Sequence, residues 1–453
     1  MNPENNAKVL LEKWSKVIDF EGLPKITDSH RRTTLAVLLE NQLEANQQLL
    51  RKDPTMSLTY LLEAAPTNSM GASSSTPGAG SIDMYDPVLI SLVRRSMPNL
   101  MAYDVCGVQP MSLPTGLIFA LRSRYASQAG VEALFNEANT TFAASAAGNT
   151  ASAVAANNQV GGDPSTMVSN NTAYTFGKAM STANLEKLGD GTGNHFQEMA
   201  MSIESISVVA KGRGIKAEYS HELAQDLKAA HGLDAEAELA NILSGEILAE
   251  INREIIRTIY TTATIGAQSN VANAGFFDLD VDSNGRWMEE KFKGLMFQVE
   301  REANAISKAT RQGRGNFLIT SSDVASALSM VGMLKAPDSG TLMVDDTGNT
   351  FAGTIGGRIK VFIDPYFESA AGNQFVSVGY KGTSPFDAGL FYAPYVPLQM
   401  YKTQGENTFQ PKIGFKTRYG MVAHPFATTA ADGAIDPTKK NKYYRIFAVQ
   451  NLL

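Results

Sequence analysis

Residues 233–260 read LDAEAELANILSGEILAEINREIIRTIY. Leu239, Leu243, Ile247, Ile251, Ile255 and Ile259 recur at every fourth position, and Ile242, Leu248 and Ile256 widen the stripe. This is the period of one helix face, so the spacing predicts a helix over 233–260. At about 1.5 Å of rise per residue it runs roughly 40 Å and needs a partner surface along its length. A second helix is expected from Trp287, with Met288, Phe292, Leu295, Val299, Ala303 and Ile306 on one face and Gly313 as its stop. Beyond it the period shortens. Phe317-Leu318-Ile319-Thr320 reads as a strand, and Ser322 or Asp323 is expected to cap a short helix from Val324 to Met330. Ile359, Val361 and Ile363 alternate with Lys360, Phe362 and Asp364 in a strand ended by Pro365. Further strands are expected over 374–381, 390–400 and 412–422. The class is α+β, with helices first and a sheet-rich C-terminal third.

Toward the N-terminus the character changes. Residues 1–63 carry 8 basic and 9 acidic side chains, a denser charge than the 19% of the whole chain. Amphipathic helices are expected over 7–20, where Val9, Leu10, Trp14 and Val17 share a face, and over 30–52, ended by Asp53-Pro54. Gly22-Leu23-Pro24 separates them. They form a small separate segment, either a tail or a removable, partner-binding prosegment. The run GASSSTPGAG at 71–80 follows as a linker by composition. A second anomaly lies at 138–177, whose only charge is Asp163 among Ala, Ser, Asn, Thr and Gly. Neutral small residues over that length suit a surface excursion that packs against another chain.

Composition excludes several classes. The 453 residues hold ordinary amounts of Gly (38) and Pro (18), so collagen-like and wholly disordered readings fail. A net charge of −6 argues against a dedicated nucleic-acid binder. Cys106 is the sole cysteine, which rules out an intrachain disulfide and a cysteine zinc site. No secretory signal and no bilayer-length apolar run are read, so a soluble protein of a reducing compartment is expected.

Enzyme signatures fail one by one. His221-Glu222-Leu223-Ala224-Gln225 opens like a helical zinc-protease motif, but Gln225 replaces the second imidazole. Asp280-Val281-Asp282-Ser283-Asn284-Gly285 matches the start of a calcium loop, yet position twelve is Lys291 and Glu290 is one residue early. A polar turn is expected there. The pieces at 211–214, 312–315 and 356–358 lack phosphate-loop spacing and read as turns with a solvated Arg. There is no nucleophile elbow, the five histidines are scattered, and Cys106 reads as a buried small hydrophobe. No catalytic, cofactor-binding or metal residue is assigned. The enzyme alternative, a cytosolic hydrolase with a dispersed site, has no positive feature behind it.

Longer blocks carry more. Val93-Arg94-Arg95-Ser96-Met97-Pro98-Asn99-Leu100 runs into Asp104-Val105-Cys106-Gly107-Val108-Gln109-Pro110-Met111, then Pro114-Thr115-Gly116 and Phe119-Ala120-Leu121-Arg122. Downstream come Tyr219-Ser220, Glu222-Leu223-Ala224-Gln225-Asp226-Leu227, His231-Gly232 and Glu250-Ile251-Asn252-Arg253-Glu254. Val378-Gly379-Tyr380-Lys381-Gly382, Tyr392-Ala393-Pro394-Tyr395-Val396 and Gly414-Phe415-Lys416-Thr417-Arg418-Tyr419-Gly420 complete the series. In this order and over essentially the whole chain, the blocks resemble the major capsid proteins of T-even-like tailed bacteriophages.

The resemblance implies the tailed-phage capsid fold. Residues 1–63 would be a helical prosegment that is removed, 64–115 an N-terminal arm, and 116–215 an extended loop with an insertion poorer in charge than is usual for the family. Residues 216–310 would form a peripheral domain with the long helix as spine, 311–375 an axial domain, and 376–453 strands returning to the peripheral domain. Leu61-Leu62-Glu63 followed by Ala64 matches the family's apolar-x-Glu processing motif, so a prohead protease is expected to cut after Glu63. The implied function is a homo-hexameric shell lattice around double-stranded DNA held without sequence-specific binding. Implied partners are the capsid vertex protein, an internal scaffold, a portal, outer decoration proteins and a folding chaperonin. The implied location is the virion, preceded by the host cytoplasm. The nearest alternatives are the paralogous vertex protein, which forms five-fold rings, and a nanocompartment shell protein.

Overall fold

The computed structural model describes residues 3–19, 26, 28–52, 100–134, 137–145, 159–168, 172–190, 195–232, 234–283, 285, 287–332, 334–335, 343–344, 350–367, 372–384, 386–404, 410–424, 435, 438 and 440–452. The chain opens with helices α1 (Pro3–Ile18) and α2 (Ser29–Lys52), then α3 (Ala102–Val105), β1 (Gly107–Val108) and β2 (Thr115–Tyr125). Helix α4 (Thr182–Glu186), β3 (Met199–Val209), β4 (Lys211–Glu218), α5 (His221–His231) and the long α6 (Ala235–Thr262) follow. Short strands β5 (Ala263–Ile265) and β6 (Phe276–Asp278) lead to α7 (Met288–Thr310), β7 (Phe317–Thr320) and α8 (Ser322–Met330). The remainder is β8 (Leu334–Lys335), β9 (Met343–Val344), β10 (Thr350–Ile355), β11 (Ile359–Ile363), β12 (Gln374–Gly379), β13 (Leu390–Gln404), β14 (Pro411–Ala423) and β15 (Asn441–Gln450). The expected helices and strands are present, with ends that caps move by a few residues. Asp234 accepts from the Glu236 amide at 3.1 Å and starts α6 two residues late. Ser321, not Ser322 or Asp323, holds the N-cap position of α8.

Contacts divide the chain into one unit of Met1–Gly116 with Ser207–Leu453, and another of Leu117–Ile206. In the first unit a four-stranded sheet runs β1-β13-β14-β4, with β1 parallel to β13 and the other pairs antiparallel. A nine-stranded sheet runs β5-β15-β12-β7-β11-β10-β8, with β6 on β15 and β9 on β10.

Two apolar clusters underlie these sheets. One gathers Leu243, Ile247, Ile251 and Ile255 of α6 with Tyr392, Leu398 and Phe415 of the four-stranded sheet. Ile247, Ile251, Ile255 and Ile259 are therefore the helix's inner face, each such side chain stabilising by about 2 kcal/mol on burial, whereas Ile242, expected to widen the stripe, is exposed. The other cluster sets Leu295, Val299, Ala303 and Ile306 of α7 on Leu318, Val361, Val376 and Phe447.

Helices α1 and α2 correct an expectation. They are not a separate segment, because Trp14, Ile18, Leu35, Leu38 and Leu39 are buried in the α6 cluster itself. An apolar helix face must be covered by something, and here the body covers it.

Candidate functional site

The seat of the helical pair is specific. Glu40 joins the two helices, accepting from Lys13 Nζ at 2.8 Å and Trp14 Nε1 at 2.9 Å. Toward the body, the Asn41 amide donates to the carbonyls of Met111 at 2.7 Å and Tyr395 at 2.9 Å. His30 Nε2 lies 2.8 Å from the Val108 carbonyl. Arg31 pairs with Asp104 at 3.4 Å and lies 5.2 Å from the Tyr103 ring centre. Leu61, Glu63 and Ala64, the expected processing residues, lie outside the described residues.

Helix α6 is pinned at two places. The Asp364 carboxylate, fully buried at the end of β11, accepts from Arg253 at 2.8 Å and from Tyr260 Oη at 2.9 Å. Burial first, and then the adjacent carboxylate, holds the Tyr260 phenol above its ordinary range. At the second place Arg213 on β4 donates to Glu250 at 2.6 Å, Glu254 at 2.5 Å and Tyr419 Oη at 2.6 Å. This overturns the reading of residues 211–214 as a turn with a solvated Arg. The segment is a paired strand, and its arginine is fully engaged. Arg314 and Arg358 likewise pair with Glu300, at 3.5 and 2.6 Å. Of the three Gly-Arg pieces, 356–358 is a true turn, closing β10 to β11 with Gly356 and Gly357 at φ 59° and 68°.

The chemical motifs stay inert. His221 and Gln225 sit on the exposed α5, and no group of three or more metal-ligating side chains occurs among the described residues. In the acidic loop Lys291 pairs with Asp280, while Asp282 accepts from the Ala272 amide at 2.8 Å and the Asp278 amide at 2.9 Å. Those carboxylates are already used, as a polar turn requires. Cys106 is buried, and burial pushes its thiol up to about 12.

The unit Leu117–Ile206 has a different balance. Its two-stranded ribbon of β2 and β3 turns Met199, Met201 and Ile203 outward, each more than half exposed. Val131, Leu134 and Phe196 are exposed as well, whereas Ile118 and Ile206 are its only large apolar side chains buried among the described residues. Arg122 pairs with Glu132 at 2.6 Å, and Arg124 donates to the Gly130 carbonyl at 3.0 Å, fixing the loop that carries Val131 and Leu134. Among its described residues the unit has little core of its own and much apolar surface to offer.

The family model described as major capsid protein Gp23 matches residues 82–449. The chain belongs to the major capsid protein family. The major capsid protein of Salmonella phage ViI is 39% identical, across 90% of this chain and 92% of its own. That of Enterobacteria phage T4 is 34% identical, across 98% of both chains. The capsid vertex protein of the same phage is 25% identical across 57% of this chain and 59% of its own, a weaker and shorter likeness. The expected α+β tailed-phage capsid fold and the capsid family are thus both found. The major capsid proteins are structural components of the virion and not enzymes, which removes the hydrolase alternative. No helix among the described residues is long and apolar enough to cross a membrane.

Periodicity alone could not find the three residues that secure α6, Arg213, Asp364 and Tyr419. They lie far apart in sequence, and their only local signal was an arginine between glycines.

Proposed function

We propose that copies of this chain close into six-membered rings that tile a head shell around double-stranded DNA, and that the shell matures by cleavage after Glu63. The observation that carries this reading is a likeness to major capsid proteins over nearly the whole of both chains. The exposed apolar ribbon supports it, since neighbouring copies would bury what one copy leaves open, in the size range of permanent interfaces. The division into prosegment, arm, extended loop, peripheral domain, axial domain and returning strands belongs to this proposal. So do the vertex protein, scaffold, portal, prohead protease, decoration proteins and chaperonin as partners, and a stay in the host cytoplasm before assembly. The likeness to a capsid vertex protein favours five-membered rings as the second reading.

Electron cryomicroscopy of heads containing this chain separates the two. Density for it at six-fold positions is expected, and occupancy of five-fold vertices alone would refute the proposal. The processing step is tested by the intact mass of the chain from native particles. A loss equal to residues 1–63, with Ala64 as the new N-terminus, is expected. Trimming at the same bond in a Glu63→Gln variant would overturn the assignment of that glutamate.

A further inference from the structure

We infer that cutting after residue 63 does not release the helical pair: α1 and α2 remain seated as a non-covalent plug, and emptying the seat is a separate step from proteolysis. This rests on the cleavage reading above.

Three observations carry it. Hydrolysis adds water across the Glu63–Ala64 bond, leaving a carboxylate and an amine, and alters no other bond. That bond lies eleven residues beyond the last residue of α2, Lys52, whereas the polar anchors to the body described above are made by residues 30–41 and the apolar ones by residues 14–39. The cut therefore removes none of them.

The apolar part of the contact has the character of a protein interior. Trp14, Ile18, Leu35, Leu38 and Leu39 are each no more than 4% exposed and share one continuous cluster with Tyr392 and Leu398 of β13. Surface of that kind stays together in water without a covalent tether.

The polar part is directional. Asn41 reaches two backbone carbonyls, one at Met111 and one on β13 at Tyr395, and His30 meets a third at Val108. Departure of the pair strips these carbonyls of their partners at the moment it opens the apolar cluster, so the two losses arrive together. Release must then draw on free energy from outside the subunit, and rearrangement of a surrounding shell lattice is a source of the right kind.

The test uses the full-length chain with residues 60–65 replaced by the recognition sequence of a site-specific protease, so it does not depend on Glu63. After complete cutting, the protein is passed over a native sizing column at about 1 μM, a concentration at which only contacts of micromolar affinity or tighter survive. The N-terminal fragment is expected to co-elute with the remainder and to separate only in denaturant. In the cut protein, Asn41→Ala is expected to speed exchange against labelled fragment by about tenfold. A fragment that elutes alone, whether the remainder stays folded or aggregates, overturns the inference. Exchange unaffected by Asn41→Ala would overturn the seat. Failure of the Glu63 assignment itself shows in particle mass and leaves these results unchanged.

Discussion

Arg253 Nη1 stands 2.8 Å from each carboxylate oxygen of Asp364, whose side chain has no exposed surface. Arg253 belongs to the long helix α6, and Asp364 closes β11 of the nine-stranded sheet. Tyr260 Oη and the Tyr366 amide take the remaining acceptor positions at 2.9 and 3.1 Å, and the Asp364 amide donates to Thr320 on the neighbouring strand β7. One carboxylate thereby joins the helix, the strand end and the following turn. A buried charge this well satisfied fixes relative position more than it adds stability.

Asp364→Ala leaves Arg253 and Tyr260 without their acceptor and is expected to cost about 3 kcal/mol in denaturant unfolding. The double replacement Arg253→Met with Asp364→Leu is expected to cost much less, because no unpaired charge is left behind. Equal losses in the single and double variants would show that packing, not the pair, holds this junction.

Two glycines respond in opposite directions to alanine. A Cβ at Gly379 would lie 2.1 Å from Cζ of Phe317, a ring only 1% exposed that cannot give way. Gly379→Ala is expected to destabilise the chain by about 3 kcal/mol. Gly245, inside α6, has nothing within 4 Å of its missing Cβ, so Gly245→Ala is expected to add about 0.5–1 kcal/mol through helix propensity. Thermal melts of the two variants check both signs.

Stability should also depend on His424 between pH 7 and 4. Its ring lies between Phe391 and Tyr443, with centroids 5.7 and 5.4 Å away, and burial pushes the imidazole down to about 4 from an ordinary 6.5. The unfolded chain takes up the proton near 6.5 and the folded chain only near 4. The contribution is therefore complete above pH 6.5 and falls away as the pH drops toward 4, by about 3 kcal/mol. His424→Phe should flatten that fall. Unfolding midpoints of both proteins at pH 7.5 and 4.5 measure it, and parallel losses would place the sensitivity elsewhere.

What the sequence determined by itself was local. Residues 239–259 state their helix through a four-residue period that no neighbour can alter, and the strands at 317–320 and 359–363 state theirs through alternation and flanking turns. The motif Leu61-Leu62-Glu63, on which the proposed cleavage rests, is likewise read from adjacent residues. Tertiary structure alone decided what each element meets. An apolar face on α1 and α2 announces that it must be covered but not by what, and only the fold shows that β13 and the α6 cluster cover it. Gly212 and Gly214 read locally as a turn, yet pairing with β14 draws them into a strand and carries Arg213 to two glutamates on α6. Period and turn chemistry are set within a few residues, whereas partners are set by contacts across hundreds of positions, and a pattern along the chain has no term for those.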